Sequence, residues 1–184
     1  MTSIGNTEGG YGAIAIALHW GMAALLIGLA ALGLYMVALP DVGFDTRKIV
    51  LILYHKELGM LALALVVVRL AWRVTNILPD LVGDLPDWQK VTARFVHLCF
   101  YALMFALPMT GWLMSSAAGI PVSFLELITL PDLIGRDDYL FKKLIDIHKW
   151  LSYGLLVFLA LHAGAALRHR FTYRDGTSSS GMLP

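Results

Sequence analysis

Histidine is the residue type in this sequence whose chemistry stands out. The chain has six histidines, and each lies within or at the end of a long apolar run, at positions 19, 55, 97, 148, 162 and 169. Ionisable side chains are costly inside a bilayer and are functional by default. A single such histidine is more often a hydrogen-bonded packing residue, but six together favour a shared role in binding a cofactor.

The spacing of the histidines predicts two levels of imidazole pairs. His148 and His162 are 14 positions apart. That spacing returns them to one helix face, at about 100° per residue, and separates them by roughly 21 Å, too far for one metal ion. In a chain that crosses a membrane four times from an inner N-terminus, His19 lies at the height of His162 and His55 at that of His148. We call these pairs the inner level (His19, His162) and the outer level (His55, His148).

Two imidazoles from different helices at one level are the axial ligand set of a bis-histidine haem, and bundle cores hold such sites. A structural zinc ion takes four ligands in a tetrahedron, twice what each level supplies. The single cysteine, Cys99, excludes an internal disulfide, a thiolate cluster and covalent Cys-x-x-Cys-His haem attachment. The sequence therefore predicts two non-covalent b haems with these four histidines as iron ligands.

Further residues are candidates for contacts to haem propionates or a quinone. Arg69 follows His55 by 14 positions, so it lies on nearly the same helix face at the inner level. We expect its guanidinium to contact a propionate of the inner haem, with snorkelling to the interface as the alternative. His97 and His169 lie near the inner end as spare ligands, propionate partners, hydrogen-bond donors to a quinone, or histidines facing headgroups. No residue is assigned as catalytic.

Four apolar runs must position these residues. They cover roughly 13–39, 49–72, 95–118 and 144–167, and each meets the roughly 20 residues that cross about 30 Å of hydrocarbon. Helices are expected because backbone polar groups in lipid must be satisfied within the chain, and Pro108 predicts a kink. The expected fold is an all-α membrane protein, a four-transmembrane-helix up-and-down bundle.

The rest of the chain sets the boundaries and the orientation. We expect a flexible N-terminal tail (1–12), a diheme transmembrane domain (13–171) and a C-terminal tail (172–184). The first tail lacks the basic residues of a signal peptide, and the run after it is too long for one. Segment 119–143 is expected to lie on the membrane surface or to cap the bundle. Lysines and arginines near the runs number seven on the side of the termini and six on the other, so both termini are placed in the cytoplasm by a small margin.

The composition fits a lipid solvent. Hydrophobic residues make up 58% of the chain and charged residues 15%, against about 45–50% and about 25% in soluble domains. Mean hydropathy is +0.71. The net charge of +1 and the lack of a basic stripe exclude a nucleic-acid partner.

Four segments carry a resemblance to a known family: AIALHW (15–20), YHKELGMLALALVVVRLAWR (54–73), VHLCFYALMFALPMTGWLMSSAAGIPVS (96–123) and HKWLSYGLLVFLALHAGAALRHRF (148–171). With the order and spacing of the histidines, the chain from Tyr11 to Asp175 resembles the bacterial cytochrome b561 family of small diheme membrane proteins. The resemblance implies a four-helix bundle with two b haems, bound by His19, His55, His148 and His162. The family commonly has His-His-Phe near the end of the fourth helix, where this chain has His169-Arg170-Phe171.

The resemblance also implies a function: electron transfer with ubiquinone in the bacterial inner membrane. Some members resemble superoxide oxidases, which pass an electron from periplasmic superoxide through both haems to quinone. This function predicts a quinone pocket near His97, His169 and Arg170, and Arg170 is also a candidate for a propionate contact. It needs outer cations to steer the anion: Arg47, Lys48, Lys142, Lys143 and Lys149.

Two other functions stay open on the sequence. One is a cytochrome b subunit that relays electrons between quinone and a dehydrogenase or hydrogenase partner docked on segment 119–143. The other is a transporter or scaffold without a cofactor.

Overall fold

The computed structural model describes residues 3–40, 45–79, 86–124 and 127–172, without the side chains of Asp87 and of 169–172. Its long helices are α1 (Ala13–Ala38), α2 (Thr46–Thr75), α3 (Asp87–Ala117) and α4 (Asp138–Thr172). All four are long and apolar enough to cross a membrane. The predicted four-helix transmembrane fold is confirmed, and the cytoplasmic position of the termini stays a prediction.

Aspartates mark where two of the helices begin. The Asp45 carboxylate accepts a hydrogen bond from the Arg47 backbone N–H at 2.9 Å. The Asp137 carboxylate accepts from the backbone N–H groups of Tyr139 and Leu140, both at 2.9 Å. Such caps satisfy donors that the first helical turn leaves without partners. Polar turns therefore extend α2 and α4 beyond the apolar runs that the sequence marks.

The bundle interior is small and lies between the two histidine levels. Met22, Val66 and Met104 form a buried cluster from α1, α2 and α3. Around it, α3 packs against α4 and α2, and α1 packs against α2. Within the described residues, the backbones of α1 and α2 approach that of α4 at few points. Space is therefore left between α4 and these two helices.

A short hairpin follows α3. Strands β1 (Val122–Phe124) and β2 (Ile128–Leu130) pair antiparallel, with Val122 opposite Leu130, and β1 packs against α2 and α3. The Ser123 hydroxyl donates to the Glu57 carboxylate at 2.9 Å. The hairpin therefore packs over the end of the bundle at the outer level, as the capping alternative for segment 119–143 predicts.

The segment before α1 folds back on the opposite end. The Asn6 side chain donates to the Ile77 carbonyl at 2.9 Å and accepts from the Gly12 N–H at 3.0 Å. A Cβ at Gly12 would lie 2.3 Å from the Gly5 carbonyl oxygen, so only glycine allows this close approach. The proposed division between tail and domain at residue 12 stays a prediction.

Candidate cofactor-binding site

The inner level brings together three imidazoles. The ring centres of His19 on α1 and His162 on α4 lie 6.3 Å apart. His97 on α3 is closer still, with its ring centre 5.6 Å from that of His162. Phe100, one turn further along α3, packs its ring edge-on against His162 at 5.4 Å. The inner level therefore offers His162 two possible partners.

The outer level has a single pair. The ring centres of His55 on α2 and His148 on α4 lie 6.2 Å apart. Two glycines stand beside these rings: a Cβ at Gly33 would lie 3.5 Å from His55 Cε1, and one at Gly111 would lie 3.6 Å from His148 Cε1. These distances are ordinary contacts for a Cβ alone. Any larger side chain at either glycine would press on an imidazole.

The Nδ1 atoms of the histidines have different partners. His148 Nδ1 lies 3.0 Å from the Thr110 hydroxyl oxygen, and that hydroxyl also donates to the Leu107 carbonyl at 2.8 Å. His19 Nδ1 lies 3.2 Å from Arg69 Nη2. His55 Nδ1 is buried without a hydrogen-bond partner among the described residues. The two levels therefore differ electrostatically even though both are built from histidine.

The spacing of the pairs fits a metal held between two opposed imidazoles. An imidazole nitrogen binds a metal ion at about 2 Å, so two rings with the ion between them have centres roughly 6 Å apart. Both observed distances, 6.3 and 6.2 Å, have that size, and they are also ordinary for rings packed edge-on, as these are. No group of three or more His, Cys, Asp or Glu side chains suited to a metal ion occurs among the described residues. A planar macrocycle that supplies the remaining ligands itself fits this donor set.

Side chains that can donate hydrogen bonds cluster beside the inner level. Arg69, Trp72 and Arg73 line a small cavity there. The indole Nε1–H of Trp72 is buried and lacks an acceptor within the described chain. Arg69 therefore lies at the height that the sequence predicts. Its contact to a propionate stays a prediction, because its guanidinium here faces His19.

A second, larger cavity opens at the inner mouth of the bundle. Its volume is about 530 Å³, and His97, Arg73 and Tyr11 contribute to its wall together with Lys90 and Arg94. His169 and Arg170 lie at the end of α4, and their side chains fall outside the described part of the chain. Of the three residues predicted at the quinone mouth, the structure therefore places only the His97 side chain.

The outer cations are partly engaged with neighbouring groups. Lys149 pairs with Asp146 at 3.0 Å, and Lys143 lies 4.4 Å above the Tyr139 ring centre. Arg47 donates to the Tyr35 hydroxyl. Lys56, the residue after His55, donates to the Pro121 carbonyl at 2.9 Å and so fixes the hairpin beside the outer level.

Sequence reasoning missed several residues of this site, among them Thr110, Gly111, Gly33 and the buried indole of Trp72. A Thr-Gly pair just after Pro108 in an apolar run was the available signal for the first two. The other two gave no signal, because a lone glycine or tryptophan in a transmembrane run is ordinary.

Comparison with known proteins relates this chain to one protein family. The sequence profile described as prokaryotic cytochrome b561 matches residues 10–184. The chain is similar to cytochrome b561 homolog 2 of Escherichia coli (strain K12), with 34% identity over 178 residues, covering 95% of this chain and 92% of the relative. It is also similar to cytochrome b561 homolog 1 of the same organism, with 31% identity over 125 residues, covering 67% and 69%.

Proposed function

This chain belongs to the prokaryotic cytochrome b561 family, and we propose that it passes electrons from periplasmic superoxide through two b haems to ubiquinone. Membership makes it a multi-pass cytochrome of the bacterial inner membrane with a role in electron transfer, in a family that binds haem b. The number of haems, the donor and the acceptor are the parts that we propose.

The observation that carries the two-haem part of the proposal is the pair of imidazole contacts at two heights, 6.3 Å at the inner level and 6.2 Å at the outer level. His19 with His162, and His55 with His148, would hold the inner and the outer haem. Bound haem supplies one-electron redox chemistry at its iron. The protein's task is to hold each imidazole in place, to keep lipid and water out, and to set the charge around each level.

The inner level also has side chains that could bind the propionates of a haem. Arg69 and Arg73 bring two cations to one cavity, and Trp72 brings an N–H that lacks an acceptor in the described chain. A buried donor without an acceptor is costly, typically by about 1–3 kcal/mol. A propionate placed there would accept from these groups, so we propose that Arg69 exchanges its contact with His19 for a propionate when haem binds.

The inner mouth is proposed as the quinone site. Its cavity of about 530 Å³ falls within the roughly 300–1,000 Å³ usual for small-molecule sites. His97 connects this cavity to the inner level, because it lines the cavity and its ring centre lies 5.6 Å from that of His162. We propose that His97 donates a hydrogen bond to a quinone carbonyl, and that His169 and Arg170 complete the mouth.

The electron balance of the proposed reaction is simple. Each superoxide gives up one electron and leaves as dioxygen, and ubiquinone takes two electrons and two protons to become ubiquinol. Two superoxide anions are therefore consumed per quinone. The outer cations Lys142, Lys143 and Lys149 would draw the anion towards His55 and His148. We expect a modest steering effect, since Asp146 neutralises Lys149.

Stopped-flow mixing of the purified, haem-loaded protein with superoxide tests the donor. We expect reduction of both haems, followed by reoxidation when a short-chain ubiquinone analogue is added. The double variant Lys142→Gln/Lys143→Gln should slow reduction at low salt, and the difference should shrink as salt screens the charges. Arg168→Gln, an exposed charge change at the other end of α4, serves as the control.

Haems that stay oxidised after mixing would remove superoxide as the donor. The haem ligation would then be judged separately, by the pyridine haemochrome count of the wild type. Retention of an iron–sulfur protein through purification, with no response to superoxide, would favour the relay subunit instead.

A further inference from the structure

We propose that Thr110 fixes the ring proton of His148 on Nδ1 and so presents Nε2 to the iron of the outer haem. The inference rests on the proposed ligation by His148. Thr110 acts through His148 and is therefore a positioning residue.

The direction of the hydrogen bonds follows from counting protons. The Thr110 hydroxyl has one proton, and it donates to the Leu107 carbonyl oxygen at 2.8 Å, since that oxygen can only accept. The same hydroxyl oxygen lies 3.0 Å from His148 Nδ1. It therefore accepts from Nδ1–H, and the Leu107 backbone also hydrogen-bonds to His148 at this edge. Neutral imidazole carries one ring proton, so the lone pair that can bind a metal is on Nε2.

The same stretch of α3 also limits how the ring can turn. Gly111 follows Thr110, and a Cβ there would lie 3.6 Å from His148 Cε1 and 3.9 Å from Nδ1. The backbone of α3 thus lies along the Nδ1 edge of the imidazole, while His55 lies 6.2 Å away between ring centres. Thr110 and Gly111 together therefore pack against the Nδ1–Cε1 edge of the ring.

The Nδ1 atoms of His19 and His55 have no such acceptor among the described residues. Arg69 can only donate, so its 3.2 Å contact requires an Nδ1 lone pair on His19, the tautomer opposite to that of His148. His55 Nδ1 has no partner in the described residues. Among these three histidines, His148 alone is held in the tautomer that leaves Nε2 free to bind iron.

An acceptor on Nδ1–H makes the ligating nitrogen more basic and fixes the ring plane, and loss of such a partner typically lowers metal affinity about 10–100-fold. The Thr110→Val variant keeps the shape of the side chain and removes its hydroxyl acceptor, while the Leu107 backbone stays in place. We expect a weaker affinity for the outer haem, within that range, and a higher midpoint potential, because a less basic ligand favours reduced iron.

The test compares three variants of the haem-loaded protein. Thr110→Val removes the acceptor, and Thr110→Ser keeps it. Thr92→Val is the matched control, because Thr92 on α3 makes the same kind of bond, to the Trp88 carbonyl at 2.7 Å, with no histidine involved. The readouts are the haemochrome count, the low-spin electron paramagnetic resonance signal and a potentiometric titration. The His162→Ala variant assigns the signals by losing the inner one.

The expected result is a changed outer signal in Thr110→Val, an unchanged inner signal, and wild-type behaviour of Thr110→Ser and Thr92→Val. If the Thr110→Val protein does not accumulate, the Thr110→Ala variant is measured instead. An unchanged outer haem in the acceptor-free variant, or an equal change in both haems, would overturn the inference. Neither result would touch the proposed ligation, which the wild-type haemochrome count tests.

Discussion

Removal of different inner histidines should have unequal effects on haem binding. His162 has two ring neighbours, His19 at 6.3 Å and His97 at 5.6 Å. When His19 is replaced by alanine, the imidazole of His97 is still available to oppose His162. When His162 is replaced, α4 offers no other described histidine at that height. His19→Ala should therefore keep part of the inner haem, and His162→Ala should lose it.

The size of the difference follows from the cost of turning His97 into the vacated position. An off-rotamer side chain costs about 0.5–1.5 kcal/mol, and each 1.4 kcal/mol is about tenfold in affinity. The haem affinity of His19→Ala should thus fall by about tenfold at most, provided that His97 serves. At the outer level His55 and His148 have no such substitute among the described residues, so either alanine variant should lose the outer haem.

Haemochrome counts on purified protein decide this. We expect two haems per chain for the wild type, one for His162→Ala, His148→Ala and His55→Ala, and a value between one and two for His19→Ala. The double variant His19→Ala/His97→Ala should fall to one. Cys99→Ala, a small change on α3 two residues from His97, controls for folding. A His19→Ala count as low as that of His162→Ala, or a loss of haem in His97→Ala alone, would refute the reasoning.

Three further predictions follow from single contacts. Gly111→Ala should keep the outer haem, because a Cβ there makes an ordinary 3.6 Å contact with His148, whereas Gly111→Leu should lower the haemochrome count; equal counts would contradict this. Arg69→Met should lower the midpoint potential of the inner haem, since loss of a nearby cation favours oxidised iron, and Arg69→Lys should largely restore it in a potentiometric titration. Ser123→Ala removes the 2.9 Å bond to Glu57, worth about 1 kcal/mol, and should lower the thermal midpoint by about 2–4 °C with both haems retained.

The sequence predicts the helices well because lipid leaves a spanning segment few choices. A run of apolar residues must form a helix, and a 14-residue spacing must then put His148 and His162 on nearly one face at two heights. Four spans and two levels follow from these constraints alone. The ends of α2 and α4 were less predictable, because Asp45 and Asp137 extend the helices into polar turns that hydropathy does not register.

Contacts between helices were harder to predict from one sequence. Arg69 is placed at the inner level by its spacing from His55, but its partner depends on which side of α1 faces α2. Thr110 has the same sequence signature as any threonine that bonds back to its own helix, as Thr92 does. Only the packing of α3 on α4 shows that one hydroxyl meets a histidine and the other does not.

The charges and hydrogen bonds that differ between the two levels shift the two haem potentials in directions that support one order of electron flow. At the inner level Arg69, which lies 3.2 Å from His19 here and is proposed to pair with a propionate when haem binds, places a cation beside the haem. A cation near a haem favours its reduced state and raises its potential. At the outer level the Thr110 oxygen accepts from His148, which makes the ligand more basic and lowers the potential. With the proposed ligands, both effects make electron flow from the outer haem to the inner haem downhill, the direction that superoxide oxidation by quinone requires. Redox titration should therefore find the inner midpoint potential above the outer one. The opposite order would mean that Arg69 and Thr110 do not set the gradient and would count against superoxide as the donor.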